Sequence, residues 1–339
     1  VSRLRYFFKR LLLSLPVLVF GTSVTFLAIH AGPVDPVAAI LGTQTDAASQ
    51  EEYNRIRRQL GLHLPLWQQY IEFMIDMATL DLGQSWVISP ETSTETLISA
   101  YAPRTLWLGF WSILIAIFVG VPLGFYAGMR SNTSADYFAS VGGIVWRAMP
   151  NFWLAVILVA FLSQSQEFVG VSWQTLGPDV TVTGAAPLQN LSDPNNLLAA
   201  IKKVFPAALV LGSASMGNEM RIGRTAVLET INKNYVQTAR GKGVSRRTLV
   251  WKHIFRNAFI PLVPIITGEA FVLIGGSVLV ETVFGINGIG YLFYRASVQG
   301  DLPLVGSLMF VFILVIVFVN ILQDLLYILI DPRIGYSDT

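Results

Sequence analysis

Cysteine is absent from all 339 residues, which excludes a disulfide framework, a thiolate metal site and a cysteine nucleophile. Charge is scarce too. Only 13% of the residues are charged, against about 25% in soluble globular proteins. Two or three soluble domains, the expectation at this length, need more polar side chains for their surfaces. Histidine occurs three times, at His30, His63 and His253, never at metal-ligand spacing, so no metal site is expected. No Gly-x-x-x-x-Gly-Lys-Ser/Thr phosphate loop is present. Gly241-Lys242-Gly243 lacks the upstream glycine and the following hydroxyl residue. Ser/His/Asp catalysis has no supporting arrangement, and Gly212-Ser213-Ala214 is not a nucleophile elbow, so no catalytic residue is expected. The net charge of +2 names no nucleic-acid partner.

What the chain does have is apolar surface: 53% of residues are hydrophobic and the mean hydropathy is +0.57. A membrane helix needs roughly 20 mostly apolar residues to cross about 30 Å of hydrocarbon. Six stretches qualify, at about 11–30, 105–129, 136–163, 204–221, 259–284 and 304–330. The last contains Phe310–Val319, ten residues without a charge. Backbone groups in lipid must be satisfied internally, so the expected fold is an all-α polytopic membrane protein. The ten-residue alternation of a transmembrane barrel is not seen. The first stretch is too long for a signal core, and no small-x-small site closes it, so it reads as a retained helix.

Basic residues flank the cytoplasmic ends of membrane helices. Arg3, Arg5, Lys9 and Arg10 place the N-terminus inside, and six spans then return the C-terminus inside. The loop at about 222–258 falls inside. It carries Arg224, Lys233, Arg240, Lys242, Arg246, Arg247, Lys252 and Arg256 against one acid, Glu229. The segment 31–104 falls outside, with nine acids against four arginines.

That outer segment is too long for a structureless loop. Glu51–Leu60 and Leu66–Leu80 have helical spacing, and we read a small helical subdomain lying on the membrane. A second outer segment, 164–203, is rich in Gly, Pro, Asp and Asn, with a short strand expected at Val180–Thr183. In the inner loop, 220–231 continues the fourth span. Tyr235–Lys242 forms a short helix stopped by Gly243, and Ser245 caps a second helix, Arg246–Phe255. No aromatic platform interleaves these charges, so the loop reads as a protein-docking surface that also meets anionic lipid. Within or beside the spans lie Arg147, Glu269, Glu281 and Asp324. Intramembrane charge is costly and normally faces a bundle interior or a water-filled path. Arg147 and Glu269 are the candidate pathway residues, and Glu281 and Asp324 are assigned to pairing or capping. Gly120, Gly124 and Gly128 form two Gly-x-x-x-Gly steps suited to close helix packing.

At the inner loop the chain resembles the transmembrane subunit of a type I ABC importer, of the dipeptide/oligopeptide permease branch. That family's loop motif is Glu-Ala-Ala, three residues, Gly, nine residues, then Ile-x-Leu-Pro. Here it reads Gln237-Thr238-Ala239, then Gly243, then nine residues to His253-Ile254-Phe255-Arg256. The departures resemble the peptide branch, through Thr238-Ala239, Lys242-Gly243 and Arg256-Asn257-Ala258. Further matches run in order along nearly the whole chain. They are Ala31 to Pro36, Leu60-Gly61-Leu62 to Tyr70, Asp81 to Ser85, Met149 to Trp153, Glu281 to Gly290, and Asp324 to Arg333.

The resemblance implies the type I importer permease fold. It divides the chain into 1–103 (first helix and outer helical segment), 104–332 (transport domain with the coupling loop) and a cytoplasmic tail, 333–339. It implies a second homologous permease, two ABC ATPase subunits that carry ATP and Mg, an extracellular solute-binding protein, and the cell membrane as location. No cofactor is expected on this chain itself, nor any enzymatic activity. Tyr235, Gln237, Thr238, Ala239, Arg240, Lys242, Gly243, Arg256 and Asn257 are the implied docking residues, with Ala239 and Gly243 allowing close approach. Di- or oligopeptide is the implied substrate. A nickel chelate, glutathione or an oligosaccharide fits the same architecture. An ion-coupled secondary transporter is a separate class, and no inverted repeat supports it.

Overall fold

A run of apolar residues in lipid closes its own backbone hydrogen bonds, and the apolar runs among the described residues do so as helices. The computed structural model describes residues 3–32, 35–41, 50–268 and 277–330. The helices are α1 (Arg3–His30), α2 (Pro36–Leu41), α3 (Gln50–Gln59), α4 (Leu66–Thr79), α5 (Thr94–Met129), α6 (Ser134–Ala148) and α7 (Asn151–Ser163). They continue as α8 (Ser165–Val169), α9 (Pro194–Ile231), α10 (Asn234–Gly241), α11 (Arg246–Gly268), α12 (Ser277–Phe284), α13 (Ile289–Gln299) and α14 (Leu302–Ile330). Among the described residues there is no sheet, only an isolated antiparallel bridge between Gln84 and Ser93.

Among the described residues, five helices are long and apolar enough to cross a membrane, and α6 with α7 makes a sixth span if the pair counts as one. That pair corrects the expectation of a continuous third helix. α6 and α7 meet at 93°, because Met149 and Pro150 are both extended (ψ 128° and 132°). Proline disfavours helical geometry in the residue before it, so Met149 ends α6. The fifth expected span is seen as α11 and α12, and the stretch between them lies outside the described residues.

The described residues fall into two compact units, residues 8–103 with 288–318, and residues 104–287 with 3–7 and 319–330. In the second, α9 is the spine. Its 38 residues extend about 57 Å, well beyond the hydrocarbon, so its end projects from the bilayer. Gly120, Gly124 and Gly128 of α5 lie directly on it. A Cβ at Gly120 would stand 2.9 Å from the Cα and carbonyl oxygen of Met216. Just before this contact α5 widens into a π-turn, Ala116–Gly120, ahead of Pro122, which has no N–H to donate. Leu108, Ala155, Val204, Ala208, Phe284 and Ile286 form one core of the unit. Glu281 is fully buried and accepts the Thr105 hydroxyl at 2.7 Å, in keeping with a structural role.

The segment after α8 contains no strand at Val180–Thr183. Its carbonyls are taken by a side chain instead: Lys203 Nζ donates to Thr181 O and Oγ1, both at 2.7 Å, and to Thr183 O. Lys202 Nζ caps Gln174 O and Pro178 O at 3.0 and 2.7 Å and lies over the Trp173 ring. Gly184 N then donates to Phe284 O at 2.7 Å.

In the first unit, α3 and α4 appear as expected, and α4 packs on α1. Tyr70 and Ser23 share a hydroxyl hydrogen bond at 2.8 Å, His30 Nε2 meets Gln69 Oε1 at 3.1 Å, and Phe73 lies beside Phe26. Met77, Leu82 and Phe310 form a core there, and Leu292, Ala296, Leu304 and Leu308 a second. Burial, reinforced by the neighbouring Asp81 and Glu72, raises the Asp76 carboxyl above its ordinary value.

Candidate functional site

The inner loop is built from helix ends. After α9 the chain turns at Asn232 and Lys233 and begins α10, whose apolar positions Val236 and Ala239 are three apart and therefore on one face. Both are buried, in a cluster with Ala226, Val227, Leu249, Ile254 and Ala258. This apolar stripe fixes α10 against the end of α9. Tyr235, Gln237, Thr238, Arg240 and Lys242 are exposed on the remaining surface. Partial desolvation holds the Tyr235 phenol above its ordinary value, so it is uncharged at neutral pH.

Gly243 closes the helix in the left-handed region, at φ 74°. Its N–H donates to Arg240 O at 3.1 Å and the Val244 N–H to Ala239 O at 3.2 Å, the two bonds of a Schellman motif. Val244 packs on the same cluster as Ala239, supplying the apolar contact that accompanies the motif. Ser245 caps the next helix, accepting from Thr248 N at 3.4 Å. The following turn runs as a π-helix, Leu249–Phe255, and brings Arg256 and Asn257 to the surface. Asn257 spends one amide hydrogen on His253 O at 2.8 Å.

The residues expected from the resemblance to dock a partner are thus brought together on one loop, with a division the sequence did not reveal. Ala239 faces its own chain, so its small size serves the packing of α10 on α9. Gly243 acts through its backbone angle, since a Cβ there would meet nothing within 4 Å.

Arg147 lies one residue before the end of α6, beside the bend in the third span. It is exposed, and its Nη1 donates to Asn218 Oδ1 of α9 at 3.2 Å. Glu269 lies outside the described residues.

Sequence reasoning missed a further pair. Asp136, in the first turn of α6, is 1% exposed and takes a bidentate grip from Arg224 of α9, at 2.5 Å from Nε and 2.8 Å from Nη2. It also accepts Asn132 N at 2.9 Å and the Ser140 hydroxyl at 3.3 Å. Arg224 had read as one more orienting charge. No sequence signal pointed to it, because an acid in the first turn behind the capping Thr133 is an ordinary helix start.

The family model of the binding-protein-dependent transport system inner membrane component matches residues 120–336, and the N-terminal model of the same system matches 3–88. The chain belongs to this family. It is 30% identical over 331 residues to the oligopeptide transport system permease protein AppB of Bacillus subtilis, covering 98% of this chain and 99% of that one. It is 32% identical over 337 residues to the dipeptide transport system permease protein DppB of Alkalihalophilus pseudofirmus, covering 98% and 100%. DppB of Escherichia coli K12 is 30% identical over 344 residues. Among solved structures, the MetNI methionine ABC transporter matches with a TM-score of 0.51 at 20% identity, covering 70% of this chain and 97% of that one. That likeness is one of fold, the type I importer permease, and the membrane is where such a chain resides.

Proposed function

We propose that this chain is one membrane-spanning permease subunit of an ATP-driven importer of di- or oligopeptides. It works beside a second, homologous permease and receives substrate from an extracellular binding protein. Two ABC ATPase subunits dock on the loop around α10 and carry the ATP and Mg. The reading is carried by the Schellman-capped α10, whose inner face is fixed to α9 and whose outer face presents Arg240 and Lys242. A partner gripping that face would move the end of α9 with it. Full-length similarity to peptide permeases supports the substrate class.

The bend between α6 and α7 supports a water-filled path there, since non-helical backbone at membrane depth is tolerated where it is buried in protein or lines a cavity. Arg147, exposed at that bend, lines the path. The test is uptake of labelled di- and oligopeptides by cells with and without the chain, with nickel, glutathione and oligosaccharides run in parallel. Peptide uptake is expected to be lost without the chain and restored by wild type but not by Gly243→Asp. Unchanged peptide uptake with loss of another solute would remove the peptide assignment. An unchanged yield of co-purified ATPase and normal uptake in Gly243→Asp would remove the docking assignment.

A further inference from the structure

The Asp136–Arg224 pair joins two elements whose movement the transport cycle has to coordinate. Arg224 is on α9, within three residues of Ala226 and Val227, the positions on which Val236 and Ala239 of α10 pack. Any displacement of α10 therefore reaches the turn that bears Arg224. On the other side, Asp136 begins α6, the inner half of the bent third span, and Arg147 lies at the far end of the same helix. The contact is made as a stiff joint. A bidentate guanidinium–carboxylate fixes both distance and plane, whereas a lysine would supply only a point charge. The carboxylate is 1% exposed and held from two further sides by Asn132 N and Ser140, so it cannot swing with the solvent. A second polar link, Arg147 to Asn218, and the seating of Gly143 against Gly217 and Met220 keep the rest of α6 on α9.

We propose that Asp136 and Arg224 are positioning residues for transport, the linkage through which movement of the docking helix α10 is delivered to α6 and so to the bend at Met149–Pro150. This rests on the reading of α10 as the ATPase-docking helix. In this arrangement α6, the inner part of α9 and α10 travel as one body. The flexible point of the third span is the bend, where each half keeps its own hydrogen-bond ladder.

The absence of cysteine makes a direct test available. Spin labels are placed at Asn234→Cys on α10 and Val141→Cys on α6, both exposed and neither among the docking residues. The chain is assembled with its native partner subunits, from which cysteines have been removed. The distance is read without nucleotide and in the vanadate-trapped state. One narrow distribution, the same in both states, is expected, and Arg224→Lys should broaden it. A wild-type distance that changes with nucleotide would overturn the linkage.

In proteoliposomes the same complexes are assayed for ATP hydrolysis and labelled dipeptide uptake. Asp136→Asn and Arg224→Lys should keep the ATPase bound, while peptide delivered per ATP falls about tenfold, within the range of couplings between distant sites. Unchanged delivery per ATP, or a loss that only follows the amount of assembled complex, would overturn the proposal. If no ATPase copurified with the wild-type chain, the docking reading itself would fail, and that result needs no substitution to appear.

Discussion

Ser85 and Asp301 are 216 residues apart in sequence and joined by a hydroxyl–carboxylate hydrogen bond of 2.5 Å. The same carboxylate accepts the N–H groups of Trp86, Val87 and Ile88 at 3.1, 3.0 and 2.9 Å. Asp301 is fully buried, one residue before α14. It ties the turn that leads into α5 to the start of the last helix. Asp301→Ala leaves three backbone donors and a hydroxyl without an acceptor. Each stranded buried group costs about 1–3 kcal/mol, so the four together cost about 4 kcal/mol or more. The expected result is a steep loss of thermal stability of the purified complex in detergent. Asp301→Asn, which keeps the shape and one acceptor, should lose less.

Gly243 at φ 74° is the position on which the end of α10 turns. Left-handed backbone costs an ordinary residue about 1 kcal/mol. Gly243→Ala, with open space for its methyl group, isolates that cost from any clash. It should loosen the end of α10 and lower the yield of co-purified ATPase while leaving membrane insertion unchanged. Hydrogen exchange at Gly243 and Val244, whose N–H groups make the two closing bonds, is the matching local measurement.

Lys203 is 6% exposed and holds its segment by the carbonyl oxygens of Thr181 and Thr183 and the Thr181 hydroxyl. Lys203→Met keeps most of the aliphatic stem and removes the donor. The stranded acceptors cost about 1–3 kcal/mol. The stretch from Gln174 to Thr183 should then be cut faster by protease added from the outer side, at sites protected in the wild type.

Asp76 contributes a pH dependence of known sign. Its folded-state carboxyl is raised above the ordinary 3.8, so the native state binds the proton more readily than the unfolded chain. That favourable difference is fully present below the ordinary value and is lost as pH rises through the raised one. Asp76→Asn should match the wild type in stability near pH 3.5 and exceed it at neutral pH. Thermal melts across that range give the comparison. The gain should be small, because solvent reaches this side chain.

The spans were legible because hydrocarbon selects for apolar length, and α1, α5, α9 and α14 cover the stretches read from hydropathy. α10 and its stop were legible because a glycine cap is a local signal. The bend in the third span was less so. Met149-Pro150 sat in the sequence as a motif, but hydropathy averages across it and reports one long run. The strand expected at 180–183 failed for a different reason. β-branched residues satisfy a local preference, yet a strand needs a neighbour, and Lys203 reached these carbonyls first. Asp136–Arg224 and Ser85–Asp301 were invisible because long-range partners leave no periodic trace. An arginine in a basic loop looks like its neighbours until the fold puts a carboxylate beside it.

The glycine stripe of α5 has a consequence for how this chain can change over time. At Gly120 and Gly124 the nearest atoms of α9 are the backbone of Met216 and Met220. The main chain of one helix rests against the bare main chain of the other. Replacement of Met220 alters little against Gly124, because every residue carries the same Cα and carbonyl. Replacement of either glycine has no local remedy, since no side chain opposite could shrink to make room. The two sides of one contact therefore tolerate change differently: Gly124 is fixed by the opposing main chain itself, whereas Met220 is constrained there only by what its side chain touches elsewhere, at Gly143.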